Sequence, residues 1–520
     1  MRFGSSLFVC SLVGGAVSLG GLLVGCGADD FAGCEADNNC GGSSGDAGLG
    51  GAGGTGATGG TGASGGTDGG AGVGGSSGSG GGEGGTCDTS KDPSVESCLV
   101  DDQYAVFVSP SGNDSTDGSK GTPFGTIEKA METAKAKGLI VIACNDTFTA
   151  PVSLTSAHDG VIVHGGFDCN SGWTYDSGKK TPVAPTAAGI ALSIDGVTKA
   201  TGFKDFAFTA KEGTAAGESS IAAFVKNSTN VRFTRVDFSA GKGADGAKGT
   251  LTPVVHESVQ ANLNGKDAAG IAPGGPMPCT CPAGGSTTGG GGGGVGQEGA
   301  PGQPAVVGGT KGTGENCTSG GTGGNGKPGA DQAGGAGAAA VGVLSATGFA
   351  GGVGAVGKSG TPGRGGGGGA GTSNAGSAGG GGGCGGCGGA GATGGGAGGS
   401  SIALMVFDAT VDARDCTFTT LDAGKGGDGV AGQLGATQFG FGGNKSGGGC
   451  AGGNGGKGGN GGAGGGGAGG LSVGVLHNAG STLTNNTPNF SQGKAGGKGI
   501  GGVPASNDGV PGDSKETLTL

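Results

Sequence analysis

Short apolar runs, each closed by an Asn or Asp and followed by a second run that ends in Phe, recur along the chain. Residues 190–194 precede Asp195 and Phe206, residues 221–225 precede Asn227, Val231 and Phe238, residues 402–406 precede Asp408, Val411 and Phe418, and residues 473–476 precede Asn478, Leu483 and Phe490. Corner residue and Phe stay ten to twelve positions apart, although long insertions separate some copies. A unit this short cannot bury its apolar side alone, whereas stacked copies share one core. The pattern predicts a β-solenoid, with Asn227, Asp408 and Asn478 at corners because Asn and Asp tolerate left-handed backbone.

The polar positions carry a second regularity. Glycine bursts follow the Phe: residues 241–246 read Gly-Lys-Gly-Ala-Asp-Gly, residues 424–429 read Gly-Lys-Gly-Gly-Asp-Gly, and Gly493-Lys494 follows Phe490. If each copy is one rung, every insertion leaves along the same edge and the insertions lie side by side. Upstream, residues 105–109 read as a strand, 111–121 as a polar turn, and 126–137 as a helix with Ile127, Ala130, Met131 and Ala134 on one face and Gly138 as its stop. Residues 139–143, 152–154 and 161–163 then read as short strands. A helix in that place closes the exposed first coil against pairing with other chains.

Glycine supplies 146 of 520 residues and proline 18, above the level at which aperiodic sequence is low-complexity. Residues 242–400 are the longest glycine-rich insertion, with a shortened rung expected near 338–349, and 424–470 are the next. Gly-Gly-x triplets run from 452 to 470. Proline is too rare and the register too uneven for a collagen triple helix. Two readings stay open: disordered loops, or extended glycine strands of polyproline II type packed closely because no side chain intervenes. The rest divides into a first block of cap and coils at 87–241, rungs at 401–423 and 471–492, and a glycine-rich polar tail at 493–520.

The first residues read as an address. Arg2, an apolar stretch over residues 7–24, and Leu23-Val24-Gly25-Cys26 have the form of a lipoprotein signal, 1–25, cut before Cys26, which would carry the lipid. Gly27 rather than Asp follows the Cys, which favours the outer membrane if the source has two. Residues 26–86 are Gly, Ser, Ala, Thr and Asp with little to bury, a tether whose coil span is roughly 40–45 Å. Export makes disulfides the default for the cysteines. Close spacings make Cys34–Cys40 and Cys87–Cys98 candidate pairs, Cys144–Cys169, about one rung apart, is a candidate staple between neighbouring coils, and thirteen cysteines beyond Cys10 and Cys26 leave at least one thiol over.

The stretch from Tyr104 through Ser109-Pro110-Ser111-Gly112-Asn113-Asp114, Asp117-Gly118, Pro123-Phe124-Gly125-Thr126-Ile127, Ile140-Val141-Ile142 and Val161 to Asp168 resembles the opening segment of pectate-lyase-like proteins. The later glycine-rich part is similar to the PGRS-type proteins of bacterial envelopes. The resemblance implies an all-β, right-handed parallel β-helix of roughly six to nine coils stacked about 4.8 Å apart. It also brings polysaccharide lyases and hydrolases into view as an alternative.

Candidate chemistry is sparse. A formal charge of −11 with no basic run disfavours nucleic acid. Beyond Arg2 the arginines are Arg232, Arg235, Arg364 and Arg414, and alternation along a strand puts Arg232 and Arg235 on opposite faces. Glycosidic hydrolysis needs two carboxylates at defined separation, for which Asp205 and Asp237 are the best pair. His158, His164, His256 and His477 are scattered, and His164 reads as an outward strand residue. Cys279, Cys281, Cys384 and Cys387 could offer zinc four thiolates, though export favours disulfides. The Gly-Lys-Gly-x-Asp-Gly loops are similar to calcium-binding repeats but form no tandem array. The expectation is therefore a lipid-anchored envelope protein with a structural or adhesive role, non-catalytic and without cofactor, its partners the membrane and surface polysaccharide. A carbohydrate-active β-helix or a passive glycan-binding module is the alternative.

Overall fold

The computed structural model describes residues 87–373 and 376–520. The expected signal, Cys26, the tether and the Cys34–Cys40 pair lie outside the described residues. The fold is mostly β, built on three parallel sheets visited in rotation. The six-stranded sheet takes Val152–Leu154, Ile190–Asp195, Ser220–Lys226, Ser401–Phe407, Ser472–His477 and Ser514–Thr519. The eight-stranded sheet orders Ala105–Val108, Ile140–Cys144, Ile162–Asp168, Thr201–Lys204, Val231–Thr234, Thr410–Arg414 and Thr482–Asn486, with Thr174–Tyr175 added antiparallel. The five-stranded sheet takes Thr181–Val183, Phe206–Thr209, Asp237–Ser239, Thr417–Thr419 and Asn489–Ser491.

Register explains the recurring sequence unit. Leu192, Ala223, Leu404 and Val475 align in one sheet; Phe203, Phe233 and Ala413 align in the second; and Phe208, Phe238, Phe418 and Phe490 in the third, so that Phe208, two residues beyond the expected Phe206, is the first copy's counterpart of Phe238. All belong to or pack on one core. The phenylalanine rings of the last column stack at centroid spacings of 5.9, 5.5 and 5.1 Å, so each copy buries its ring against the next. Two of the three expected corners are left-handed, Asn227 and Asp408 with φ of 48° and 47°, whereas Asn478 is not; Asp205, Arg235, Asp415 and Thr487 have 57°, 54°, 53° and 52° at the next bend. Stacked corner side chains bond to one another, Asn227 to Asp195 at 3.0 Å and Asn478 to Asp408 at 2.7 Å.

The helix Ile127–Lys137 starts at Thr126, whose hydroxyl accepts from Lys129 N, and stops at left-handed Gly138. Its apolar face, Ile127, Ala130, Met131 and Ala134, is buried in the same core as the first strands of two sheets. That covers one end of the stack.

The insertions all leave between the five-stranded and the six-stranded sheet, and they form packed glycine strands. In residues 452–470 every third amide bonds the same neighbour. Gly452, Gly455, Gly458, Gly461, Gly464, Gly467 and Gly470 donate to carbonyls running backwards from Gly443 to Gly424, while Gly453, Gly456, Gly459, Gly462, Gly465 and Ala468 donate to carbonyls from Gly367 back to Gly352. Carbonyls of residues 450–468 accept in turn from amides of 380–398 and of 323–338. A repeat of three residues per turn is that of a polyproline II helix. Only glycine permits the approach: a Cβ on Gly456 would lie 2.0 Å from the Lys327 carbonyl oxygen, and one on Gly382 would lie 2.0 Å from that of Gly366. Of the two readings of these segments, close packing is the observed one.

Two expectations are corrected. The stretch near 338–349 is no rung: Gly342–Ser345 and Gly348–Gly351 form an antiparallel hairpin whose Leu344 and Phe349 cover the apolar outer face of the six-stranded sheet around Phe224, Met405 and Leu476. Its apolar run answers to that face rather than to the core. Nor is 493–520 a tail, since Ser514–Thr519 pairs in register with Ser472–His477. An exposed edge strand carries little apolar alternation, which is why Ser-Lys-Glu-Thr-Leu-Thr reads as polar.

Candidate functional site

Outward-facing positions of the eight-stranded sheet form two adjacent columns. One is His164, Lys204, Thr234, Arg414 and Asn486; the other is Ile162, Gly202, Arg232, Asp412 and Thr484. Alternation sends Val163, Phe203, Phe233 and Ala413 inward, so the polar residues between them must stand outward. Ile162, Lys204, Arg232, Thr234, Asp412 and Arg414 line a shallow cleft of about 240 Å³. Arg414 Nη2 pairs with Asp412 at 2.8 Å and Lys204 Nζ with Asp92 at 2.8 Å. Among the described residues Arg232 has no carboxylate partner. In a chain of net charge −11, this face gathers three cations at the cleft, of which Lys204 and Arg414 are paired with Asp92 and Asp412 and Arg232 is left over.

Lys204, at the edge of the cleft, is held by the segment that precedes the first strand. Residues 87–98 are looped by the Cys87–Cys98 disulfide, and Asp92 reaches the sheet between His164 and Lys204. His164 is 5% exposed, and its Nδ1 stands 3.5 Å from Asp92 Oδ1 without a hydrogen bond. Burial pushes the His164 imidazolium down, more than neighbouring Asp92 lifts it, so the ring is neutral at neutral pH. Burial opposes charge on Asp92, yet His164 and Lys204 hold its carboxyl well below the usual carboxylate range.

The sequence-derived candidates fall out as follows. Arg235 does not alternate with Arg232: the left-handed corner at residue 235 breaks the strand, and its guanidinium turns along the stack to grip Asp205 with two 2.7 Å bonds. Asp237 bonds Lys180 at 2.6 Å. Each carboxylate of the proposed hydrolytic pair is therefore neutralised by its own cation. His158 closes a capping box, His256 lies 3.2 Å from Gln433, and His477 lies 3.1 Å from the Asn478 carbonyl, each in a different part of the fold.

The zinc reading is overturned, because Cys279 bonds Cys384 and Cys281 bonds Cys387. Cys144 bonds Cys169 and Cys317 bonds Cys450. Among the described residues the three-ligand clusters are Cys87, Glu96, Cys98 and Cys144, Asp146, Cys169, and in both the sulfurs are already joined. Cys416 is the free thiol of the described part; burial lifts it to about 11, which leaves it protonated and unreactive. The acids of the Gly-Lys-Gly-x-Asp-Gly loops hold the next loop: Asp245 accepts from Lys425 N at 2.7 Å, and Asp428 from Ile500 N at 2.8 Å.

The cleft was missed in the sequence because its cations come from three separate copies. Aligning the first copy on Phe208 rather than Phe206, with Phe238, Phe418 and Phe490 of the later copies, would have put Lys204, Thr234, Arg414 and Asn486 in one column.

A family model described as protein of unknown function (DUF1565) matches residues 110–151, which run from the turn after the first strand through the capping helix to the strand Ile140–Cys144 and just beyond. No curated protein and no solved structure matches the chain.

Proposed function

We propose that this chain is a right-handed parallel β-helix, lipid-anchored through Cys26 at the outer face of a cell envelope, with a structural or adhesive role and no catalytic one. The β-helix part is supported by three parallel sheets around one core, and by the match at 110–151 to a family associated with right-handed β-helix proteins. The observation that carries the functional reading is the glycine bundle. It grows out of every later copy at the same bend, hydrogen-bonds turn by turn to its neighbours, and is stapled by three disulfides. So much chain committed to a rigid, exported lattice suits display and load-bearing. The similarity to PGRS-type envelope proteins belongs to the same reading.

Protease accessibility on intact cells tests it, with a Cys26→Ala variant and mass analysis of the mature N-terminus. Digestion of the wild type from outside, with lipid on Cys26, agrees with display. Protection until the envelope is opened removes the surface role.

The cationic cleft favours a second reading, a passive glycan-binding module. Retention on an acidic polysaccharide but not a neutral one, weakened by Arg232→Ala and without release of reducing ends, would support it.

A further inference from the structure

The two ends of the stack differ. One is covered by the helix Ile127–Lys137, while at the other, among the described residues, Thr482–Asn486, Asn489–Ser491 and Ser514–Thr519 are each the last strand of their sheet, paired on one side only. The inward columns change character there. Phe203, Phe233 and Ala413 lead to Asn485, and Leu192, Ala223, Leu404 and Val475 lead to Thr517. Buried Ala210, Ala240 and Thr420 lead to Gln492. Asn485 Oδ1 and Gln492 Nε2 are shut away from solvent without a hydrogen-bond partner, one an acceptor and one a donor. Phe490 ends the ring stack with no following ring.

We infer that this open end binds a second copy of the chain, end to end about a two-fold axis. The inference rests on the coil reading proposed above. Strands of one coil circulate in one sense, and a two-fold axis across the stack reverses that sense, so all three edges meet their mates antiparallel. With the axis through Ser514–Thr519, that strand pairs with itself and Thr482–Asn486 faces the partner's Asn489–Ser491. Asn485 then meets Gln492 of the partner subunit, and the orphaned acceptor gains the orphaned donor after rotation about the soft terminal amide torsions. Such an interface is isologous and closes at two copies. The helix at the far end blocks head-to-tail growth. Edges of five, three and six residues are about half a standard interface of ~20–30 residues a side, which points to micromolar rather than nanomolar association.

The test uses the full-length chain in detergent, by sedimentation velocity across the micromolar range. A concentration-dependent dimer is expected. Asn485→Asp combined with Gln492→Asp should weaken it about tenfold or more by setting like charges across the contact, and Asn485→Asp combined with Gln492→Lys should restore it. Thr517→Cys should give a disulfide-linked dimer on a non-reducing gel, whereas Glu132→Cys on the capping helix should not. A monomer throughout, with no Thr517→Cys crosslink, overturns the inference. If amide protection of Thr482–Asn486 and Ser514–Thr519 is retained in that monomer, the coil reading stands and only the dimer falls; loss of protection at these strands would count against the coil reading itself.

Discussion

Three consecutive glycines in the bundle give opposite expectations for one substitution. A Cβ on Gly290 would sit 2.0 Å from the Ala300 carbonyl oxygen and 2.9 Å from Gly368 N, and one on Gly292 would sit 2.0 Å from the Gly379 carbonyl oxygen. On Gly291 the nearest atom is Pro276 Cδ at 3.6 Å, an ordinary contact. Relieving the clash at Gly290 means moving a neighbouring strand by more than ~1 Å, and that neighbour is held by the 2.8 Å bonds from Ala300 N to Gly291 and from Gly368 N to the Ala300 carbonyl. Overpacking costs about 1–3 kcal/mol, and each buried group left unpaired a further ~1–3. Gly290→Ala and Gly292→Ala should therefore lose about 3 kcal/mol or more, while Gly291→Ala should be neutral or gain up to ~1 kcal/mol by restricting the unfolded chain. Native-state hydrogen exchange reads this locally: a loss of 3 kcal/mol speeds exchange at Gly368 roughly a hundredfold. Equal effects of the three alanines, or a harmless Gly290→Ala, would refute close packing of these strands.

The Phe238 ring lies between Phe208 and Phe418, so Phe238→Ala should cost about 3–5 kcal/mol and lower the denaturant midpoint without changing which sheets form. Reducing Cys279–Cys384, Cys281–Cys387 and Cys317–Cys450 reopens loops of 105, 106 and 133 residues, and thiol treatment should lower the thermal midpoint of the bundle well before that of the three-sheet core, followed by exchange at Gly452–Gly470 against Phe203–Phe238. Arg235→Ala strands the 7%-exposed Asp205 carboxylate, and a loss of about 2–3 kcal/mol is expected in urea unfolding, reduced by the half-open setting of the guanidinium; Asp205→Asn in that background should recover part of it. His164 has a folded pKa below its unfolded value of 6.5, so the unfolded state binds the extra proton first. Stability of the 87–98 loop should fall as pH drops below about 6.5, and fall again below about 3.8 as protonation of Asp92 becomes favoured in the unfolded chain. Trypsin cleavage after Lys91 should follow that curve, and His164→Phe should remove its upper limb.

Much of the three-sheet part could be read in advance because its residues carry side chains with a direction. The column Phe238, Phe418 and Phe490, the left-handed corners at Asn227 and Asp408, and the capping helix with Gly138 at its end each leave a local mark in the sequence, whereas the first copy offers two phenylalanines, Phe206 where the reading expects the ring and Phe208 where the column takes it. The common exit of the insertions followed from the copies. Partner choice among glycine strands did not, since a strand without side chains records its three-residue repeat and nothing about its neighbours. Cys279 and Cys384 are 105 residues apart, and only the bundle brings them together. The hairpin around Leu344 and the strand Ser514–Thr519 were hidden for opposite reasons, one apolar outside the core and the other polar within a sheet. The cleft at Arg232 and Arg414 depends on register between distant copies, which no single stretch of sequence displays.

Because each glycine strand presents one residue in three to a given neighbour, the bundle is read in triplets. Deleting or adding three residues would shorten or lengthen a strand by one turn and return every remaining residue to its own neighbour. A change of one or two would rotate the strand by a third or two thirds of a turn, carrying residues such as Lys457 and Asn460 towards partners that admit only a hydrogen. The described residues contain such a slip: Gly455 and Gly458 donate to Gly440 and Ala436, three residues set against four, and the surplus is taken up over residues 437–439, where Gln438 and Phe439 stand beside the loop at 256–260. Length variation in this region is thus expected to come in multiples of three, the frame of a code written in backbone geometry.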